Sequence, residues 1–205
     1  MPGGRVRLRH PVYFVRHGQT DWNAAKRFQG HSDIPLNDAG RAQAARNGLA
    51  LRAHEPSPET MAFFVSPLAR TRETMEIVRS ALNLPRQRYQ VDDRLIELDL
   101  GVWNGRTPEE IAAEDPDGAA AREADKWGYR MASGESYAAA APRIREFLTD
   151  LKAARRRRPV LVVGHGGSGR RLRGYLRGLS TEETPHLEAP QHVVLELADG
   201  REREI

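Results

Sequence analysis

The sequence contains no cysteine, which excludes disulfides, thiolate metal sites and a cysteine nucleophile, and leaves the redox compartment open. It has no apolar run approaching membrane-spanning length. Its basic start, Met1 to Arg9, leads into a short Tyr13-Phe14-Val15 strand rather than the core of a signal peptide. The expectation is a cytoplasmic protein with no membrane partner. Nor is there a Gly/Ser-rich linker, an internal repeat or a low-complexity tract. With 39% hydrophobic residues, the 205 residues are expected to form one domain, 1–205, with 1–10 a flexible or loosely attached lead-in. Lysine is scarce: Lys26, Lys126 and Lys152 are the only lysines among 32 basic residues, and the rest are arginine. A GC-rich genome is one source of that bias. A taste for anionic ligands is the other, because guanidinium forks match phosphate oxygens two at a time. The net charge of +4 does not separate them; position does.

Pro11 to Val15 reads as a buried strand that ends in the polar loop Arg16-His17-Gly18. Asn37 can cap a helix to about Arg52, with Ala42, Ala45 and Leu49 on its inner face. Met61 to Val65 is a second buried strand, and Ser66-Pro67 reads as a helix cap with proline at the first helical position. Leu68, Thr71, Met75, Val78 and Leu82 then recur at helical spacing. Tyr89 to Val91 is a short third strand, and Thr107-Pro108-Glu109-Glu110 is a capping box. Ala119 to Lys126 is a further short helix. A long helix spans Ser136 to Arg155 with Ile144, Phe147, Leu148 and Leu151 buried, and Pro142 implies that it is kinked or starts late. Val160 to Val163 is a strand, Ser168 to Arg177 a helix and His192 to Leu197 a last strand. Alternating strands and helices imply an α/β fold, a parallel sheet covered on both faces. The run Arg155 to Arg158 falls at a helix C-terminus, where the dipole favours cations. With no aromatics interleaved, this accounts for it better than nucleic acid does, so no nucleic-acid partner is expected. The competing reading, in which it acts with Arg170-Arg171, predicts steeply salt-dependent DNA binding.

Three polar clusters follow strands: Arg16-His17-Gly18, Ser66 to Arg70, and Gly164-His165-Gly166-Gly167. Open parallel sheets bind ligands at those carboxyl ends. A lone histidine there is more often structural, and a lone Arg70 in a first helical turn is mildly unfavourable unless an anion sits beside it. Two histidines and two arginines at one edge have the composition of a phosphate pocket with a nucleophile inside.

Arg16-His17-Gly18-Gln19-Thr20-Asp21-Trp22-Asn23 resembles the signature of the histidine phosphatase superfamily, the phosphoglycerate mutase-like proteins. The match continues through Arg27-Phe28-Gln29-Gly30, Asp33 to Leu36, Ser66 to Thr74, Leu95 to Gly101 with Trp103 and Gly105, and Gly164 to Gly167. The resemblance implies a three-layer α/β/α sandwich around a mostly parallel sheet. It implies His17 as nucleophile, Glu97 as general acid, and Arg16, Arg70 and His165 around the phosphate oxygens. Asn23 stands at a phosphate-contacting amide position, while Thr20, Arg27, Gln29 and Gly30 are expected near the mouth. Gly134-Glu135-Ser136 resembles a further loop near the site. His31, His54, His186 and His192 match no catalytic position. No metal or cofactor is implied, the substrate is a small phosphorylated metabolite, and a homodimer is a common state in the family.

A mutase of this family would share the core residues. The segment between Gly105 and His165 is shorter than in such mutases and is expected to lack their basic, aromatic cap, and Gln29 stands where they carry serine. Both features favour hydrolysis. A glycine, Gly166, follows His165, which disfavours the superfamily branch with an aspartate there. A non-catalytic anion binder is the remaining alternative, and loss of His17 or Glu97 would have favoured it.

Overall fold

A computed structural model describes residues 4–154 and 158–205. Six strands form one sheet: β1 (Val12–Arg16), β2 (Ala62–Val65), β3 (Gln90–Val91), β4 (Val160–Gly164), β5 (Leu195–Ala198) and β6 (Arg201–Glu204). Their order is β3-β2-β4-β1-β5-β6. The first four in that order run parallel, whereas β5 and β6 add antiparallel at one edge. β1 and β4 are central and pair in register from Val12 with Val160 to Arg16 with Gly164. Both are apolar along nearly their whole length, as strands covered on two faces must be.

Seven α-helices are described: α1 (Asp21–Ala24), α2 (Asp38–His54), α3 (Ala69–Ala81), α4 (Pro108–Glu114), α5 (Pro116–Ala124), α6 (Tyr137–Ala153) and α7 (Gly166–Arg177). On one face α2 and α3 bury Leu51, Met75 and Val78 against Tyr13, Val15, Phe63 and Leu161. On the other, Ile144, Phe147 and Leu148 of α6 and Leu172 and Tyr175 of α7 pack on Phe14, Phe64 and Val162. This is the expected α/β/α sandwich. A third apolar cluster, Leu98, Trp103, Ile111, Met131 and Tyr137, lies beside it under α4 and α5.

Several boundaries differ from the sequence reading, each for a physical reason. The inner face of α2 is Gly40, Ala44, Asn47, Gly48 and Leu51, while Leu49 is 55% exposed. Small residues make that face because α3 lies so close: a Cβ on Gly48 would sit 2.6 Å from Ala81 Cβ. Ser66 does not cap α3; the helix begins at Ala69, whose N–H donates to the Asp33 carboxylate at 2.8 Å. α6 begins at Tyr137 with Ser136 as its cap and runs through Pro142, so the proline does not delay it. α7 begins at Gly166, two residues before Ser168. The strand expected from His192 starts at Leu195 as β5, and the exposed edge strand that follows it, β6, has no apolar pattern to reveal it. The lead-in is docked from Arg5 onward: Val6 N donates to Tyr175 O, Arg5 Nε to Leu176 O, and Val6 and Leu8 pack on the core. Of the arginine run, Arg155 to Arg157 lie outside the described residues.

Candidate active site

Arg16 ends β1, and His17 follows it on a loop that bends only because two glycines meet. A Cβ on Gly18 would lie 2.3 Å from Gly40 O, so the start of α2 can press on this loop only if residue 18 has no side chain. Gly18 N donates to Thr74 Oγ1 on α3, which itself donates to Arg70 O, so the two polar loops are tied together.

The His17 ring is buried, and its Nδ1 is 2.8 Å from Gly18 O. A carbonyl only accepts, so Nδ1 carries the hydrogen and Nε2 of the neutral ring keeps its lone pair. Burial, His165, Arg70 and Arg16 together lower the His17 pKa well below the ordinary imidazole value. His17 is therefore a neutral imidazole with a bare Nε2 at neutral pH.

His165 lies behind it at the N-cap of α7, edge-on to His17 with ring centroids 5.2 Å apart. Its Nε2 is 2.7 Å from Ser66 Oγ, and its buried Nδ1 has no partner. Burial, then Arg70 and Arg16, lower its pKa well below the usual value as well. Ser66 thus serves this histidine rather than a helix cap.

Arg16 and Arg70 are anchored by backbone carbonyls: Arg16 by Ala189 O at 2.6 Å, and Arg70 by Ser32 O at 2.6 Å and Gly30 O at 2.9 Å. Each keeps a buried Nε with no acceptor. Burial lowers the Arg16 pKa to about 10, with Glu97 opposing and Arg170 and Arg70 adding to the drop, so it remains a cation at neutral pH. Unsatisfied buried donors are costly, about 1–3 kcal/mol each. Three of them around one neutral histidine describe a cradle for an anion. Asn23 completes it: its side-chain oxygen accepts from Thr20 N, Thr20 Oγ1 and Gln191 Nε2, which leaves its amino group to donate.

Glu97 reaches the N-terminus of α7. Oε2 accepts from Gly167 N at 2.9 Å, and Oε1 accepts from Ser168 N at 3.0 Å and Leu98 N at 2.8 Å. Burial raises its pKa, but Arg171, the Gly167 and Leu98 amides and Arg70 outweigh that and hold it below the ordinary carboxylate value. A general acid at this position has to be protonated once substrate is bound, when a dianion adds to the effect of burial. Without a bound anion the donors win, and Glu97 is ionised.

These groups meet in a cavity of about 240 Å³ lined by Arg16, His17, Asn23, Arg70, Glu97, Gly166 and Gly167 at its base. Gln29 and Gly30 line it too, Gln29 being 7% exposed with a buried Oε1 lacking a partner. Arg27 lines the mouth, but its guanidinium is held by Glu110 and Gly105 O. Thr20 does not line the cavity: it is buried in a capping box with Asn23. Glu135 accepts from Asp99 N and pairs with Arg143, and Ser136 caps α6, so that loop braces the Glu97 segment instead of lining the cavity. His31 Nε2 lies 2.9 Å from Glu97 O, a contact with the acid loop's backbone.

The outer half of the cavity departs from expectation. Arg122 of α5 lies over Phe28 at 5.6 Å and Trp103 at 5.9 Å, and Phe28, Trp103 and Tyr129 stack in sequence. Arg170 donates to Leu187 O and Tyr137 OH, and both it and Tyr137 line the cavity. Basic and aromatic groups, Arg122, Arg170, Phe28 and Tyr137, therefore stand at the cavity, with Trp103 and Tyr129 stacked behind Phe28; they are scattered among turns and helices and show no periodic signal. Gln191 was equally invisible, yet its Nε2 donates to His17 O at 2.9 Å. Arg171 is wholly buried, so of the Arg170-Arg171 pair only Arg170 reaches the cavity.

The family model described as histidine phosphatase superfamily (branch 1) matches residues 12–203. The bifunctional 6-phosphofructo-2-kinase/fructose-2,6-bisphosphatase 3 of Rattus norvegicus is 33% identical over 186 residues, 91% of this chain and 31% of that protein. The 6-phosphofructo-2-kinase/fructose-2,6-bisphosphatase of Gallus gallus is 34% identical, over 91% of this chain and 37% of its own length. The chain thus spans about a third of these relatives. Among solved structures, mycobacterial glucosyl-3-phosphoglycerate phosphatase in complex with VO3 aligns with a TM-score of 0.80 at 29% identity, covering 95% of this chain and 97% of that one. The alpha-ribazole phosphatase of Shigella flexneri aligns at 0.78 with 23% identity over 95% and 94%, a likeness of fold.

Proposed function

Because this chain belongs to the histidine phosphatase superfamily, we propose that it is a phosphatase that hydrolyses small phosphomonoesters through a phosphohistidine at His17, with no metal ion. The observation that carries this reading is the state of His17, a neutral ring whose Nδ1–H is committed to Gly18 O beside a cradle of unsatisfied donors. In that reading Nε2 attacks phosphorus in line as the ester P–O bond breaks. Arg16, Arg70, Asn23 and His165 hold the phosphate oxygens, supplying the charge that a metal would otherwise supply. His165 donates through Nδ1 while Ser66 Oγ donates to its Nε2. Glu97 gives a proton to the leaving oxygen, then takes one from the water that cleaves the P–N bond and restores His17. A phosphate dianion beside the Glu97 carboxylate favours its protonated form, so proton uptake accompanies substrate binding.

The outer cavity narrows the substrate class. Arg122 and Arg170 line the outer cavity, and after burial both lower the pKa of Lys126 behind them by charge repulsion, with Glu123 opposing. A second anionic group on the substrate would relieve that repulsion, and the aromatic wall suits a compact ring. Sugar bisphosphates and sugar-linked phosphoglycerates meet both demands, and the fructose-2,6-bisphosphatases and the glucosyl-3-phosphoglycerate phosphatase named above act on esters of those kinds by their names, whereas the alpha-ribazole phosphatase does not.

The test is phosphate release from p-nitrophenyl phosphate, phosphoglycerates, glucosyl-3-phosphoglycerate, fructose 2,6-bisphosphate, fructose 6-phosphate and nucleoside monophosphates, with and without EDTA. EDTA-insensitive release, lost in His17→Ala, supports the mechanism. Arg122→Ala is expected to raise KM about tenfold for doubly anionic esters and to leave p-nitrophenyl phosphate unchanged. Release that EDTA abolishes, or that survives His17→Ala, refutes the histidine mechanism. Transfer between phosphoglycerates in place of release would show a mutase.

A further inference from the structure

The mechanism above makes no use of a charge as deeply buried as any among the described residues. Arg171 is 0% exposed, and its Nε and both terminal nitrogens have no hydrogen-bond partner among the described residues. A buried guanidinium without hydrogen-bond acceptors is expensive to keep, because desolvation opposes its charge. Burial lowers its pKa to about 10, against the opposing pull of Glu97, so at neutral pH it is still a cation.

Its position in α7 fits a purpose. Helical side chains lean toward the N-terminus and cover the residues three and four positions earlier. For Arg171 those are Ser168 and Gly167, the two residues whose amides hold the Glu97 carboxylate. The guanidinium carbon also sits 5.6 Å from the centre of the Tyr137 ring, which lines the cavity next to Glu97. Around Glu97 the other charged groups are Arg70 from α3, Arg16 from β1 and Arg170 from α7. Arg143 from α6 donates to Glu97 O and is itself paired with Glu135. Arg16, Arg70 and Arg170 line the cavity, so a bound dianion offsets their pull on the carboxylate. Arg171 does not line it and keeps its full effect.

We propose that Arg171 is a positioning residue for Glu97: its buried charge behind the α7 N-terminus keeps Glu97 ionised in the resting protein and sets the pH range over which Glu97 carries the leaving-group proton. The consequence for catalysis rests on the proposed role of Glu97 as that proton carrier; the consequence for the ionisation of Glu97 does not.

The experiment has two arms. In the first, protein labelled with ¹³C-glutamate is titrated by NMR, with the Glu97 carboxyl assigned by Glu97→Gln, in wild type, Arg171→Met and Arg171→Lys. Glu97 in Arg171→Met is expected to bind its proton on the order of tenfold more tightly, and in Arg171→Lys close to wild type. In the second, the pH profile of kcat/KM is recorded on the best ester; its alkaline limb is expected to move to higher pH in Arg171→Met by the same factor. A purely structural arginine would lower activity at every pH without moving the limb. If Arg171→Met does not fold, Arg171→Gln replaces it. A Glu97 carboxyl that titrates within twofold of wild type in a folded neutral variant overturns the proposal. If wild type hydrolyses no ester, the phosphatase reading falls, and the NMR arm still decides what Arg171 does.

Discussion

At Gly167 a single Cβ would land 2.4 Å from Glu97 Oε1, and at Gly18 one would land 2.3 Å from Gly40 O. The two look alike in sequence and differ in what gives way. At Gly167 the obstacle is the tip of a side chain, which can swing aside at the cost of leaving the helix amides. At Gly18 it is backbone, which cannot move without shifting α2. Gly167→Ala should therefore fold, with near-wild-type circular dichroism, and lose about 10–100-fold in kcat, since a positioned acid contributes about 10²–10⁴. A kcat within twofold of wild type would mean that Glu97 does not need its place on α7. Gly18→Ala should instead lower thermal stability. The sequence names these glycines and the groups they serve, because the motif blocks carry them. It does not separate Arg170 from Arg171: adjacent arginines on a helix are indistinguishable until tertiary packing buries one and opens the other to the cavity.

Among the elements, α3 depends on a partner far away in the chain. Its first N–H donates to Asp33, and the same turn supplies Ser32 O and Gly30 O to the Arg70 guanidinium. One exposed carboxylate thus supports both the helix start and the turn that aims the Arg70 guanidinium. Asp33→Ala is expected to cost about 1 kcal/mol, the usual worth of an N-cap, seen as a lower urea midpoint at unchanged slope. It should also raise KM several-fold by loosening Arg70. A variant with unchanged KM would show that Arg70 is held by its carbonyls alone. Caps built from neighbours, at Asn37 and Thr107, were legible in the sequence because the donor and acceptor are three residues apart. The Asp33 cap was not, since its two ends are 36 residues apart. The inner face of α2 was misread for a related reason: apolar spacing points to Leu49, whereas close approach to α3 selects glycine and alanine. Buried strands β1, β2 and β4 announce themselves by composition. The edge strand β6 and the basic and aromatic groups at the cavity do not, as the strand is polar throughout and the groups are scattered among turns and helices.

For the molecule as a whole, the site proposed to bind an anion is also where folding stability meets pH. His17 and His165 are buried neutral, with pKa values well below that of an unfolded chain, about 6.5. Below that value the unfolded chain binds protons that the folded protein refuses, so stability falls as pH drops and is fully retained above it. The slope can reach about 1.4 kcal/mol per pH unit for each histidine. Glu97, Glu135 and Asp92 have lowered folded pKa values, so they contribute stability above their unfolded values and lose it only at more acid pH. Acid unfolding should therefore come in two stages, the first set by the two site histidines and the second by carboxylates. Urea unfolding at pH 7.5, 6.5 and 5.5 checks this: wild type should weaken between 6.5 and 5.5, and the double variant His17→Asn, His165→Asn should stay nearly flat there. Inorganic phosphate should restore part of the wild-type loss, because an anion that binds only the folded state adds RT ln(1 + [L]/Kd). Equal slopes in wild type and double variant would mean that the two rings take up protons without unfolding the protein. The neutral nucleophile on which the proposed mechanism rests would then have no thermodynamic support.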